Sequence, residues 1–252
     1  MKSVSFLLPA LAMIVACDGA TVPRSIQSNI DDSRVPAALR AAYFEDASRM
    51  ALRDLLTNGF NEVPIPREAV QPYYDALVLV YNATALPARD TVVNVYQVHS
   101  FPQPATRGVY LLVADDQVWA QRLAADSLPT GNELVDQLLA NYELSVDHVF
   151  RMTTTNEWLI VLRSAEPLNM AGLASSFEQV SGVRAGANGA GGDGNDIGGT
   201  RDDVTLIDYS VAYGDCWSGC ISRRFYHFAV HSDDTVEYLG ASGSPPPRPG
   251  QP

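Results

Sequence analysis

Residues 108–185 constrain the fold most, because their hydrophobic pattern alternates between the period of a strand and that of a helix in a definite order. Residues 108–114 read as a strand, 115–125 and 132–142 as helical, and 146–152 and 157–163 as two strands around the turn Thr153-Thr154-Thr155-Asn156. Residues 169–179 read as a further helix, and Gly182-Val183 opens a last short strand. Leu134, Leu138, Leu139 and Tyr142 give the 132–142 helix its amphipathic spacing, and Leu173, Phe177 and Val180 do the same for 169–179.

The order β, α, β, β, α, β is the split βαββαβ of ferredoxin-like sandwiches, so the chain is predicted to be α+β with a ferredoxin-like middle domain over residues 108–185. The helix ending Phe177-x-x-Val180-x-Gly182-Val183, followed by a short exit strand, resembles the propeptide and inhibitor module of subtilisin-type proteases. That resemblance implies a tail lying along a protease cleft. Here the corresponding tail is AGANGAGGDGNDIGG, no protease domain follows, and no Ser/His/Asp set is legible in the remaining residues. Ferredoxin-like folds host many functions.

Before this domain, residues 1–16 carry a positive start at Lys2, an apolar run from Phe6 to Val15 and small residues before Cys17, the pattern of an export signal too short to span a membrane. Ile14-Val15-Ala16-Cys17 resembles the lipobox of bacterial lipoproteins, which implies lipidation of Cys17 and membrane attachment through that lipid alone. Residues 17–32 are small and polar, as a tether would be. Residues 33–107 form a predicted helical lead-in plus strand. Leu39, Tyr43, Ala47, Met50, Ala51 and Leu55 recur at helical spacing until Asn58-Gly59, and a second helix over 66–82 contains Pro72. Residues 91–101 are expected to be a strand with His99 on the face of Val93 and Val95, and no carboxylate stands near His99 in sequence.

After it, residues 186–203 read as a Gly-rich linker, 204–240 as a three-stranded meander and 241–252 as a Pro-rich tail. The linker fails as a phosphate loop because Asp193 and Asp196 would repel the anion. As a calcium loop, Asp193, Asn195 and Asp196 supply oxygens, but the pattern breaks at Ile197. The meander is too small to stand alone. At its first hairpin tip, Gly214-Asp215-Cys216-Trp217-Ser218-Gly219-Cys220 holds the two cysteines that lipidation of Cys17 would leave. In an oxidising compartment they are expected to form a disulfide that presents Trp217. The alternative is a soft-metal site built from Cys216, Cys220 and His227, since two thiolates and an imidazole suit copper(I) or zinc. The C-x3-C spacing resembles copper-delivery proteins and the dinuclear copper domain of respiratory oxidases, but Arg224 stands where the latter place a His ligand.

A net charge of -12 leaves no cationic footprint beyond Arg223 and Arg224, which argues against a nucleic-acid partner. No catalytic motif or cofactor fingerprint is legible. The succession from AAYFEDASRMALRDLL to GDCWSGCISRRFYHF resembles a family of bacterial exported lipoproteins ending in a GDC-x-SGC hairpin, which implies export to the cell envelope and carries no activity across. The expectation is a lipid-anchored binding protein for a protein or cell-envelope component, with Trp217, Arg223 and Arg224 as candidate contacts. A protease inhibitor or folding helper, and a thiol or copper-handling protein, are the alternatives.

Overall fold

The computed structural model describes residues 23–246. In chain order the elements are β1 (Ser25–Gln27), α1 (Ala37–Thr57), α2 (Arg67–Asn82), α3 (Pro87–Asp90), β2 (Gly108–Ala114), α4 (Val118–Ala124), α5 (Glu133–Asn141), β3 (Leu144–Met152) and β4 (Glu157–Ser164). They continue with α6 (Met170–Phe177), β5 (Val183–Ala187), β6 (Asp196–Arg201), β7 (Thr205–Tyr213), β8 (Ser222–Val230) and β9 (Thr235–Gly243).

The fold is α+β. The middle sheet is antiparallel with the order β3-β4-β2-β5, the ferredoxin-like arrangement in which the two crossovers straddle a central strand pair. Leu111, Ile160 and Leu162 point from this sheet onto Val135 of α5 and onto Leu173 and Phe177 of α6, giving one buried core. A second core lies elsewhere. Tyr43 and Met50 of α1 and Tyr73 and Leu77 of α2 pack on Ile207, Tyr209, Phe228 and Val236 of a five-stranded sheet ordered β1-β9-β8-β7-β6. The amphipathic N-terminal helices therefore cover the C-terminal sheet, and the ferredoxin-like domain is an insertion between them. Among the described residues no helix is long and apolar enough to cross a membrane.

Several expectations are corrected. Residues 91–101 are not a strand: Pro87 starts α3, which runs into a π-helical turn over Thr91–Val95. Val92 and Val98 are buried while Val95 is exposed, so the burial phase is not the predicted one. The Ser100 N–H goes to the Asp46 carboxylate (2.8 Å) rather than to a neighbouring strand.

The span 186–203 is not a linker, because β5 runs to Ala187 and β6 pairs with β7 along its whole length. Glycines hide this strand from pattern reading. At Gly199 an added Cβ would collide with the Leu206 carbonyl and lie 2.9 Å from Met50 Cε, so the strand passes too close to its neighbours for a side chain. The expected meander over 204–240 is the inner part of the larger sheet. Ser25–Gln27 of the expected tether adds to β9 as an edge strand, and β9 extends through residues 241–243 of the expected tail.

Tyr209 is fully buried in the second core, and its hydroxyl has no hydrogen-bond partner among the described residues. Burial pushes this phenol well above its ordinary range, with Tyr43 and Asp46 adding in the same direction. An unsatisfied buried hydroxyl costs about 1–3 kcal/mol. Tyr209→Phe is accordingly expected to raise stability by about 1 kcal/mol, read as a higher urea midpoint with an unchanged slope; a fall would show that the hydroxyl is satisfied in solution.

Candidate functional site

The outer face of the five-stranded sheet carries the residues singled out in the sequence. Ile207, Tyr209 and Phe228 point inward, so by strand alternation Asp208 and Ser210 of β7 and Arg223, Phe225 and His227 of β8 point outward. The β7–β8 hairpin ends in residues 214–221, where Gly214 and Gly219 adopt φ of +92° and +118°, conformations that glycine takes without steric cost.

Cys216 and Cys220 are joined in a disulfide across this loop. With the two sulfurs bonded to each other neither is a thiolate. His227 has its Nδ1 on Asp208 and its Nε2 on Ser242, so no imidazole is free beside them for the expected metal alternative.

Trp217 projects from the loop with 92% of its surface exposed, and Ile221 with 76%. The loop is held from below by the segment that reads as a linker. The Asp193 N–H donates to the Cys216 carbonyl (3.1 Å), the Cys220 N–H donates to Asp193 Oδ2 (3.2 Å), and the Arg223 guanidinium pairs with Asp193 Oδ1. The Arg223 hydrogen bond is the main reason the Asp193 carboxyl sits below the usual range.

The oxygens considered for calcium are thereby engaged by protein donors. Asp193 holds Arg223, Asn195 Oδ1 accepts the Ala212 N–H (3.0 Å), and Asp196 Oδ1 accepts from Arg53 (2.9 Å) and from the Phe101 N–H (2.7 Å). Two guanidinium groups in these positions are the wrong charge for a cation site. Arg224 donates to the Gly243 carbonyl (2.7 Å) and lies over the Tyr226 ring. Of the three candidate contact residues, Arg223 and Arg224 are thus tied into the sheet, and Trp217 alone is presented freely.

Two clusters escaped sequence reading. In the first, Asp208 of β7, His227 of β8 and Ser242 of β9 meet on the outer face, although the C-terminal residues show no Ser/His/Asp set as a linear pattern. His227 Nδ1 lies 2.7 Å from Asp208 Oδ1, its Nε2 lies 2.8 Å from Ser242 Oγ, and its ring stacks on Phe225 at 6.1 Å between centroids.

In the second, His99 Nδ1 donates to Asp46 Oδ2 (2.7 Å) while the N–H and hydroxyl of Ser100 donate to Asp46 Oδ1 at 2.8 and 2.7 Å. The Asp46 hydrogen bond raises the His99 pKa, against a smaller opposing effect of burial. His99 also borders an open cleft with Leu39, Tyr81, Asn94 and Gln97. Only the register of the strands could have revealed the first cluster. The second joins residues 53 positions apart through an irregular segment.

Cys17 lies outside the described residues. Comparison with protein families, curated proteins and solved structures finds no match to this chain.

Proposed function

We propose that this is a lipid-anchored, extracytoplasmic binding protein that engages a protein of the cell envelope through its disulfide-stapled loop. The observation that carries the reading is Trp217, at 92% exposure on a covalently closed loop braced by Asp193 and Arg223. A loop closed and braced this way loses little backbone freedom when a partner covers its indole, which is what interface anchors require. Ile221, in the same loop, adds a second exposed apolar side chain. The lipobox-like residues ending at Cys17 and the polar residues after them support attachment near a membrane surface. The acidic balance argues against nucleic acid.

The inhibitor alternative keeps its ferredoxin-like topology but loses its tail. The segment that would occupy a protease cleft is instead pinned by Arg223, by the stapled loop and by the pairing of β6 with β7.

A photoreactive residue at position 217, in the exported full chain, tests the proposal. A discrete protein adduct is expected, absent when the same group replaces Phe150 on the exposed β3 of the inserted domain. With the captured partner purified, Trp217→Ala should weaken binding about 30-fold or more, the effect of losing a hot-spot aromatic worth 2 kcal/mol or more. Failure to form a protein adduct at 217, or a partner that binds Trp217→Ala as tightly as the parent chain, would overturn it.

A further inference from the structure

We propose that Ser242, His227 and Asp208 form a surface acyl-transfer site that hydrolyses short-chain esters carried on a larger molecule. The contacts run in the order such chemistry needs. Asp208 holds Nδ1 of the imidazole at 2.7 Å, which leaves the lone pair of Nε2 facing Ser242 Oγ at 2.8 Å. A triad is recognised by these roles and distances, whatever the chain order.

Three further features distinguish the cluster from an ordinary row of polar residues on a sheet. The imidazole plane is fixed by Phe225, whose ring lies within 10° of parallel to it. The three members sit on three paired strands of one sheet, a rigid mounting for catalytic geometry. The register of β8 with β9 shifts between His227 and Phe228, and Gly240, opposite His227, has φ of +117°. That bulge is what brings Ser242 into reach of the ring although Ser242 itself is paired with Phe225.

The site is open. Asp208 and His227 are 42% and 31% exposed at their side chains, and β1 pairs with β9 only at residues 235–237. The Tyr238 N–H still donates to the Arg24 carbonyl, but beyond it no described residue pairs with this side of β9, which turns alternate backbone N–H groups outward, the donor type that an oxyanion needs. An open face suits a small acyl group on a bulky carrier better than a long chain that must be enclosed.

In the reaction, Ser242 Oγ bonds to the acyl carbon while its proton passes to His227 Nε2, and the carbonyl π pair moves onto oxygen. Collapse of that intermediate breaks the ester bond, and the departing alcohol takes the proton from His227. Water then adds to the acyl-serine and gives a proton to His227. The second collapse releases the carboxylic acid and returns the proton to Ser242. Asp208 remains ionised throughout and holds the imidazolium that forms twice.

A fluorophosphonate, which phosphonylates activated serines, tests this on the exported full chain without knowledge of the carrier. Peptide mapping should place a stoichiometric adduct on Ser242. His227→Gln should slow labelling about 100-fold, the effect of removing a general base, and Asp208→Asn should slow it by a smaller factor. Phe150→Ala, on the exposed β3 of the inserted domain, should leave it unchanged. p-Nitrophenyl acetate should be hydrolysed faster than p-nitrophenyl octanoate, with both rates lost in Ser242→Ala. Circular dichroism of each variant separates a chemical effect from misfolding. No adduct on Ser242, or labelling of Ser242 at an unchanged rate in a folded His227→Gln protein, would overturn the assignment.

Discussion

Replacing Asp46 with alanine is expected to destabilise the protein by about 3–5 kcal/mol, the range for removing one partner of a buried charged network. Its carboxylate is almost wholly buried and accepts three hydrogen bonds, from the backbone and hydroxyl of Ser100 and from His99. Alanine would strand the Ser100 N–H and hydroxyl in a dry site and leave Arg49, which donates to Ser100 Oγ at 3.2 Å, with a weakened acceptor. Asp46→Asn keeps one acceptor oxygen but turns an N–H2 toward His99, so a loss of roughly half that size is expected.

The deficit also carries a pH signature. His99 has a raised pKa in the folded state, so its added contribution is fully present below the ordinary imidazole value of about 6.5 and is lost as pH rises through the higher folded-state value. The difference between parent and Asp46→Ala should therefore be larger at pH 6 than at pH 8.5. Urea unfolding at the two values measures it, and a pH-independent difference would mean that His99 does not report on Asp46.

Asp46 also shows why parts of this molecule were legible in sequence and others were not. The helices and the ferredoxin-like order could be read because each element repeats its own period: Leu138 and Leu139 on α5, or Leu111 and Val113 on β2, take their burial from spacing within one element. The disulfide could be read because the sequence itself sets two cysteines four residues apart in one loop between two strand patterns.

What escaped depends on partners distant in the chain. β6 is a strand because β7 lies beside it, and its Gly198-Gly199 carries no side-chain alternation to announce that. Ser25–Gln27 is a strand only because β9 ends in an open edge. Residues 91–101 misled because Val92, Val93 and Val95 favour strands by propensity, while the helical start at Pro87 and the pull of Asp46 on Ser100 decide their backbone. The Asp208, His227 and Ser242 cluster needs the register of three strands and one bulge, none of which is written in any one strand.

Because the ferredoxin-like domain is inserted between α3 and β6, the two cores are expected to respond separately to damage. Phe177→Ala and Phe228→Ala each remove a fully buried ring and should each cost about 3–5 kcal/mol in the core concerned. Phe228 carries the stronger case for the upper end, since it packs edge-on to Tyr209 at 5.7 Å and against Tyr238 at 5.3 Å. Hydrogen bonds and an ion pair join the two units: the Asn169 side chain donates to the Glu62 carbonyl at 3.0 Å, its backbone N–H donates to the Val63 carbonyl at 2.9 Å, and Arg107, at the point of entry, pairs with Glu45 at 2.6 Å, while the Val63 side chain is buried in the core of the inserted domain.

Polar seams of this kind couple domains less tightly than a shared apolar core. Phe177→Ala should therefore produce an early transition in which the inserted domain melts while the α1, α2 and β1-β9-β8-β7-β6 unit holds. Hydrogen exchange would show loss of protection confined to residues 108–187. Phe228→Ala should do the converse to the outer unit, whose chain is discontinuous and whose two halves are brought together at residues 107 and 188 by the insertion: the Asn188 N–H donates to the Gly108 carbonyl at 2.8 Å, closing β5 against β2 at the point of entry. The asymmetry is the test of the architecture. A melted outer unit leaves a continuous inserted domain free to persist, whereas a melted insertion leaves the outer halves joined through a long flexible loop, which adds a closure entropy that grows only slowly with its length. A single cooperative transition in both variants would show instead that the polar seam binds the two cores into one folding unit.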